Sequence, residues 1–268
     1  MTAGRVLCAV DLTPLAPSVA ALAAVLACAK GASVTLLHVA DRRDPEPGAA
    51  DRMEALALPL RSLGIPVTIA TEEGDPAPAI LWYSSGASLV VMGTHGGRGV
   101  ERVMLGSVAE KVLDHARCPV ITVREESRGA LQRIVCGVDL VDGVPLEAAV
   151  ALAREIRAEV VAVHAVPDAP EEGKHALVPA SYGPSLLAEA RKSLEEAIAA
   201  LGETGVSIRG EVVPGRPHRQ LVRRAAQESA GLVVVGVHSH LFGGTTHRVV
   251  READCPVLTV RGAPAPEE

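Results

Sequence analysis

Aromatic side chains are nearly absent: the 268 residues hold one Trp, one Phe and two Tyr. A core must therefore be built from Ala, Val and Leu, and base-stacking modes of single-strand nucleic-acid binding have little to work with. Excess positive charge is also missing. The formal net charge is -6, so no global basic field draws phosphate backbones. No apolar run reaches the ~20 residues that cross a bilayer. The Ala/Leu/Val-rich stretch from Leu15 to Ala29, with Arg5 before it, superficially resembles a signal peptide. Asp11, Pro14 and Pro17 interrupt it, and it reads as strand, loop and buried helix. The cysteines (Cys8, Cys28, Cys118, Cys136 and Cys255) are odd in number and form no C-x-x-C pair. That disfavours a disulfide framework or structural zinc and fits a reducing cytoplasm. Asn is absent and Gln is scarce, while Pro is frequent and Arg far outnumbers Lys. This leans toward a heat-adapted source, although a GC-rich genome yields much of the same bias.

What is present is enough for a folded protein. Hydrophobic residues make up 48% and charged residues 22%, which excludes a disordered chain. The length fits two domains of about 150 residues or less each. An internal repeat makes that concrete. Arg5-Val6-Leu7-Cys8-Ala9-Val10-Asp11 recurs as Arg133-Ile134-Val135-Cys136-Gly137-Val138-Asp139. Val34–Val39 is echoed by Val160–Val166, Val90–Gly93 by Val233–Gly236, and Cys118–Arg124 by Cys255–Arg261. Matches in the same order mean two copies of one domain, over residues 1–128 and 129–268. The polar stretch from Arg124 to Gln132 is the linker between them.

Within each copy, short β-branched runs alternate with longer Ala/Leu segments. The first copy predicts strands at 6–10, 33–39, 66–71, 88–93 and 119–123, with helices at 16–30, 49–64, 76–85 and 107–117. The second predicts strands at 134–138, 159–166, 206–213, 231–237 and 257–260, with helices at 145–157, 184–202, 217–229 and 245–254. Near-continuous apolar strands separated by helices indicate an α/β fold. Each copy is then a doubly wound, five-stranded parallel sheet of Rossmann-like type. The apolar final strands, Val120–Val123 and Val257–Val260, would each leave an open edge. The two copies are accordingly expected to pair within the chain about a pseudo-twofold axis.

Sheets of this kind bind ligands beyond the carboxyl ends of their strands, where strand order switches. After strand four comes Gly93-Thr94-His95-Gly96, then nine residues, then Gly106-Ser107 at the start of the last helix. Glycines allow close backbone approach, and a helix N-terminus offers unpaired N–H groups to an anion. The combination describes a phosphate cradle; the competing reading is an N-cap plus a turn. Asp11, at the end of strand one, can accept a hydrogen bond from an adenine amino group or merely cap a loop. Val39 and Met92 end strands two and four and either wall an adenine or belong to the core.

With these residues in view, the chain resembles the universal stress proteins in their tandem form, over nearly its whole length. The nucleotide-binding subgroup carries G-x-x-G, nine residues, G-[S/T], matched by Gly93, Gly96, Gly106 and Ser107. The resemblance implies an ATP site lined by Asp11, Val39, Met92, Gly93, Gly96, Gly106, Ser107 and Val108, with Ala9 and Val10 beside Asp11. It also implies Mg held mainly by the phosphates, and a regulatory or stress-response role. His95, Arg98 and Arg102 are candidates to approach a triphosphate, although the two arginines read slightly better as a solvated loop face.

The second copy keeps Asp139 and Gly236, but Ser239 replaces the second Gly. Only His240, Leu241 and Phe242 precede Gly243-Gly244, so the loop reads as six residues shorter, with Gly244 replacing the hydroxyl residue. Thr245 and Thr246 follow as compensating hydroxyls. The second pocket is expected to bind nucleotide weakly, differently or not at all, with the first copy the stronger ATP site.

Other signals are thinner. His238, His240 and His247 cluster without a partner at ligand spacing, so no metal is expected. Arg216, Arg219, Arg223 and Arg224 make a basic run on one helix that does not by itself indicate nucleic acid. No P-loop, dinucleotide fingerprint or Ser-His-Asp arrangement stands in the cleft. The leading expectation is a cytoplasmic ATP-binding protein rather than an enzyme. The alternative is a slow ATPase or an ATP-dependent phosphoryl-transfer enzyme. Association into a homo-oligomer stays open.

Overall fold

The computed structural model describes residues 4–40, 47–94, 105–124, 130–166, 182–237 and 244–262, with the backbone alone for 182–184. Strand and helix alternate throughout. The first copy contains β1 (Arg5–Ala9), α1 (Ala16–Lys30), β2 (Ser33–Ala40), α2 (Ala49–Ser62), β3 (Val67–Glu73), α3 (Pro76–Ser84), β4 (Leu89–Gly93), α4 (Ser107–His115) and β5 (Val120–Val123). The second contains β6 (Arg133–Gly137), α5 (Val144–Ile156), β7 (Glu159–Val166), α6 (Tyr182–Ala200), β8 (Ile208–Pro214), α7 (Pro217–Gln227), β9 (Leu232–Val237), α8 (Thr245–Glu252) and β10 (Val257–Arg261). Every expected element is present, with ends within two residues of those read from the sequence.

Two compact units emerge. One holds Met1–Ser127 and takes in Pro256–Thr259; the other holds Arg128–Cys255 and Val260–Glu268. In the first unit β3-β2-β1-β4-β5 lie side by side, all parallel. Val257–Thr259 runs antiparallel along β5, opposite Thr122–Val120. The Thr259 hydroxyl donates to the Val120 carbonyl at 3.1 Å, within this ladder. In the second unit β8-β7-β6-β9 are likewise parallel.

The sequence dictates this layering. Central strands such as β1 (RVLCA) and β4 (LVVMG) are apolar on both faces and buried on both, as a parallel sheet covered by helices requires. The edge strands differ. β3 ends in Thr-Glu-Glu, and β8 carries Arg209 and Glu211, charges that discourage pairing with a foreign strand. Arg209 bonds Glu228 at 2.7 Å, and Arg224 bonds Glu211 at 2.5 Å. Part of the basic run on α7 is thus spent on ion pairs within its own unit. Among the described residues no helix is long and apolar enough to cross a membrane. The Leu15–Ala29 stretch contributes α1 instead, burying Ala16, Val19, Ala20, Ala23, Ala24, Leu26 and Ala27. So many alanines let the helix axis approach the sheet closely.

The corresponding helices α1 and α5 end differently. α1 closes on Gly31 at φ 59°, whose N–H reaches the Ala27 and Cys28 carbonyls. This is the left-handed C-terminal turn that glycine adopts without penalty. α5 closes on Arg157 at φ 58°, where a side chain meets the backbone strain that Gly31 avoids. Arg157→Gly is therefore expected to stabilise the protein by about 0.5–1 kcal/mol, net of the extra entropy of glycine in the unfolded chain. Gly31→Ala is expected to destabilise it by about 1 kcal/mol. Urea denaturation midpoints check both; a lower midpoint for Arg157→Gly contradicts the strain argument.

Candidate functional site

In the first unit strand order reverses between β1 and β4. α1 packs with α2, and α3 with α4, one pair to each face of the sheet. The chain leaving β1 and the chain leaving β4 therefore part company, and a crevice opens over their carboxyl ends. Ala9 and Met92 are register partners beneath it, both buried. The Val10 N–H continues the ladder to the Leu37 carbonyl at 2.9 Å. The Val10 carbonyl lies 3.0 Å from Nδ1 of buried His38, which fixes the tautomer with the proton on Nδ1. Val39 is half-buried at the same end of β2.

Asp11 follows at the corner, half-buried. Its Oδ1 accepts from the Thr13 N–H at 3.1 Å and the Thr13 hydroxyl at 2.7 Å. Among the described residues nothing donates to Oδ2. One carboxylate oxygen is thus a loop cap and the other is open, which accommodates both readings made from the sequence. Leu12 stands next, buried and left-handed at φ 57°. Leu140 repeats the conformation after Asp139, at φ 63°. A leucine held there costs about 1 kcal/mol. Its recurrence in both copies makes the reversal after the aspartate part of the site's construction.

The other wall is set by backbone bonds. Thr94 N–H donates to the Val123 carbonyl at 3.0 Å, and Gly106 N–H donates back to the Thr94 carbonyl at 2.8 Å. The connection after β4 leaves and returns at one point, so α4 starts beside half-buried Gly93. Gly106 is the N-cap, and no side chain caps the helix. Ser107 is the exposed first helical residue, so its hydroxyl is not a cap. Val108 is half-buried behind it. The first N–H groups of α4 have no partner within the helix, and they carry the positive end of its dipole. Ala9, Val10, Asp11, Val39, Met92, Gly93, Gly106, Ser107 and Val108 thus gather at one end of the sheet. His95, Gly96, Arg98 and Arg102 lie outside the described residues.

The second unit repeats the geometry around a cavity of about 390 Å³. Its lining comes from Gly137 at the end of β6, Val138 and Asp139 after it, Val163–Ala165 of β7, Val235–Val237 of β9, Pro217 and Leu221 of α7, and Gly244–His247 at the start of α8. His164 lies 2.7 Å by Nδ1 from the Val138 carbonyl, the counterpart of His38 and Val10. Asp139 Oδ1 accepts from the Val141 N–H at 2.9 Å. The Thr246 hydroxyl donates to the Gly236 carbonyl at 2.5 Å and ties the start of α8 to β9.

One expectation needs correcting. Gly244 is the N-cap of α8, as Gly106 is of α4, so Thr245 stands where Ser107 does. The hydroxyl is kept rather than replaced, and the connection is seven residues against twelve in the first copy. Gly243, His238 and His240 lie outside the described residues. Sequence reasoning also missed Pro217, Leu221, Val163, His164 and His247 in this lining. His164 had a signal in its repeat match to His38, and His247 in the histidine cluster noted above. A β-carbon on Gly137 would sit 2.8 Å from Leu221 Cδ1, which is why glycine stands where the first copy has Ala9. Among the described residues no group of three His, Cys, Asp or Glu is placed to hold a metal ion.

Comparison with known proteins agrees with this fold. The family model described as the universal stress protein family matches residues 2–124 and again 131–261. A universal stress protein of Mycobacterium tuberculosis (strain H37Rv) is 31% identical over 200 residues, covering 69% of this chain and 66% of its own length. The match thus spans just under two thirds of that relative. One of Thermus aquaticus is 35% identical over 137 residues, covering 44% of this chain and 97% of its own. The crystal structure of a universal stress protein from Archaeoglobus fulgidus superimposes with a TM-score of 0.68 over 98% of this chain and 97% of that one. At 19% identity that likeness is one of fold. The chain belongs to the universal stress protein family.

The thiols beneath the crevices are chemically quiet. Burial pushes the Cys8 thiol up to about 12. Burial, helped by the Asp139 charge, pushes Cys136 up as well. Cys255 rises to about 12, through burial and the charge of Asp254. A raised pKa keeps these groups as neutral thiols until the pH nears that value, so none is a nucleophile at neutral pH. Cys28 is exposed. Iodoacetamide at pH 8 is expected to modify Cys28 in the native protein and to spare Cys8, Cys136 and Cys255 until denaturant is added. Peptide mass mapping checks it, and native-state labelling of Cys8 contradicts it.

Proposed function

We propose that this universal stress protein family member is an ATP-binding regulatory protein of the cytoplasmic stress response, holding its nucleotide over β1 and β4 of the first copy. The observation that carries the reading is the Gly106-to-Thr94 backbone bond. It brings the uncapped start of α4 to the end of β4, within a sequence spaced G-x-x-G, nine residues, G-S. Partnerless N–H groups, the positive helix end and the Ser107 hydroxyl are what a phosphate chain needs. Gly93, His95, Gly96 and Val108 complete that side, and Mg rides mainly on the phosphates. At the other end Asp11 Oδ2 accepts from the adenine amino group, with Ala9, Val10, Val39 and Met92 around the base.

The reading is of binding and regulation. The described crevice groups are amides, a hydroxyl and a carboxylate already bonded to Thr13. This inventory suits recognition better than activation of a water molecule. Bound ATP would act by changing a surface seen by a partner.

Calorimetry on the full chain tests this. Gly106→Val sets a branched side chain where phosphate approaches the backbone and is expected to cost at least about tenfold in ATP affinity, or 1.4 kcal/mol. Ser107→Ala should cost less, about 0.5–1.5 kcal/mol for one neutral hydrogen bond. An ionised carboxylate accepts from adenine and repels the guanine carbonyl, so ATP should be preferred over GTP by about 1–3 kcal/mol. Asp11→Ala should shrink that preference and leave the phosphate contacts intact. An unchanged ATP-to-GTP ratio in Asp11→Ala removes Asp11 from the site, and undiminished ATP binding by Gly106→Val removes the loop.

A further inference from the structure

We infer that this chain associates with a second copy of itself, the exposed Trp82 on α3 of one chain entering a hollow beside Arg223 on α7 of the next. The two residues hold the same place in the two copies. Val34 pairs with Val67 as its counterpart Val160 pairs with Ile208. Further along, Gly74-Asp75-Pro76 matches Gly215-Arg216-Pro217, and Trp82-Tyr83 matches Arg223-Arg224. The charge reverses between these equivalent faces. From Glu72 to Ser85 there are three carboxylates and no Lys or Arg; from Val213 to Ala226 there are four arginines and no Asp or Glu. Each face complements the other and repels its own kind, which points to a contact between unlike faces of two chains.

Trp82, the only Trp of the chain, is 77% exposed on a helix whose other side buries Ala77, Ile80 and Ser84. The Tyr83 hydroxyl donates to Glu72 at 2.7 Å, and Asp75 caps α3 by accepting from the Ala77 N–H at 3.2 Å. Carboxylates are thereby held against the helix that carries the ring. On the other face, a hollow of about 280 Å³ is lined by Val213 and Pro214 at the end of β8 and by Gln220, Arg223, Arg224 and Gln227 of α7. These four recur at helical spacing and form one stripe. Arg224 is spent on ion pairs with Glu211 at 2.5 Å and Glu228 at 3.8 Å. Arg223 is exposed, and among the described residues nothing pairs with it. A free guanidinium stacks on an indole face as a cation–π pair. Val213 and Pro214 add apolar surface for the ring, and Trp and Arg are the residue types that dominate contact energies at interfaces. Arg216 and Arg219, exposed at the start of α7, then answer the carboxylates that accompany Trp82.

Sedimentation velocity on the full chain, with Trp82 fluorescence followed in the same samples, tests this. No other Trp contributes, so the emission reports this ring alone. A small contact is expected to associate with a Kd between about 1 μM and about 1 mM. As concentration rises through that range, the sedimentation coefficient should increase and the emission should shift to the blue. Salt at about 1 M is expected to weaken the association. Trp82→Ser and Arg223→Glu, both changes at exposed positions, are each expected to weaken it at least about tenfold. An equimolar mixture of the two variants is expected to form a one-to-one complex, since each keeps the face that the other has lost. A chain that stays monomeric over the whole range overturns the inference. So does association that leaves the emission unmoved or that neither substitution weakens, and so does a mixture of the variants that stays monomeric.

Discussion

Two adjacent parallel strands that send their chains to opposite faces of one sheet leave a gap that neither chain covers. In the first unit these are β1 and β4; in the second they are β6 and β9. Apolar residues on both strand faces force helices onto both sides, and the helices force the chains apart at the carboxyl ends. The remaining features of the site elaborate that gap. The imidazoles of His38 and His164 bond the last carbonyl before each aspartate. Left-handed Leu12 and Leu140 then turn the chain away, leaving an aspartate at the corner. The opposite wall is closed by the Gly106–Thr94 bond in one copy and the Thr246–Gly236 bond in the other.

The copies diverge where charge would meet a ligand. The starts of α4 and α8 share a glycine cap followed by a hydroxyl residue, then part: Val108, Ala109 and Glu110 against Thr246, His247 and Arg248. β6 ends in glycine where β1 ends in alanine, and Leu221 presses into the space released. Duplication supplied the same crevice twice, and these few side chains are what distinguish the two. In a chain with so few aromatics, the crevice walls are built of Val, Ala, Leu and Met.

Much of this was legible in the sequence. Glycine and proline punctuate the apolar runs so sharply that element ends fall within two residues of expectation. The repeat disclosed the tandem fold, and the loop spacing pointed to the crevice proposed as the first-copy site. What was hidden has physical reasons. Nothing in a leucine announces positive φ, yet Leu12 and Leu140 both adopt it. Gly243-Gly244 offered two registers for the last helix, and only the backbone shows which glycine caps it. Ser107 read equally well as a cap until Gly106 was seen in that place. Leu221 and Pro217 reach the cavity from a helix distant in sequence, and no local spacing points there.

The central claim is that the crevice at the end of β1 and β4 is a nucleotide site built by the fold. Native mass spectrometry of the purified chain, before and after addition of ATP with Mg, addresses it directly. The account predicts a discrete adduct of the mass of ATP that survives gentle desolvation and disappears in Gly106→Val. A spectrum with no nucleotide adduct at millimolar ATP, or one in which the adduct persists undiminished in Gly106→Val, contradicts it.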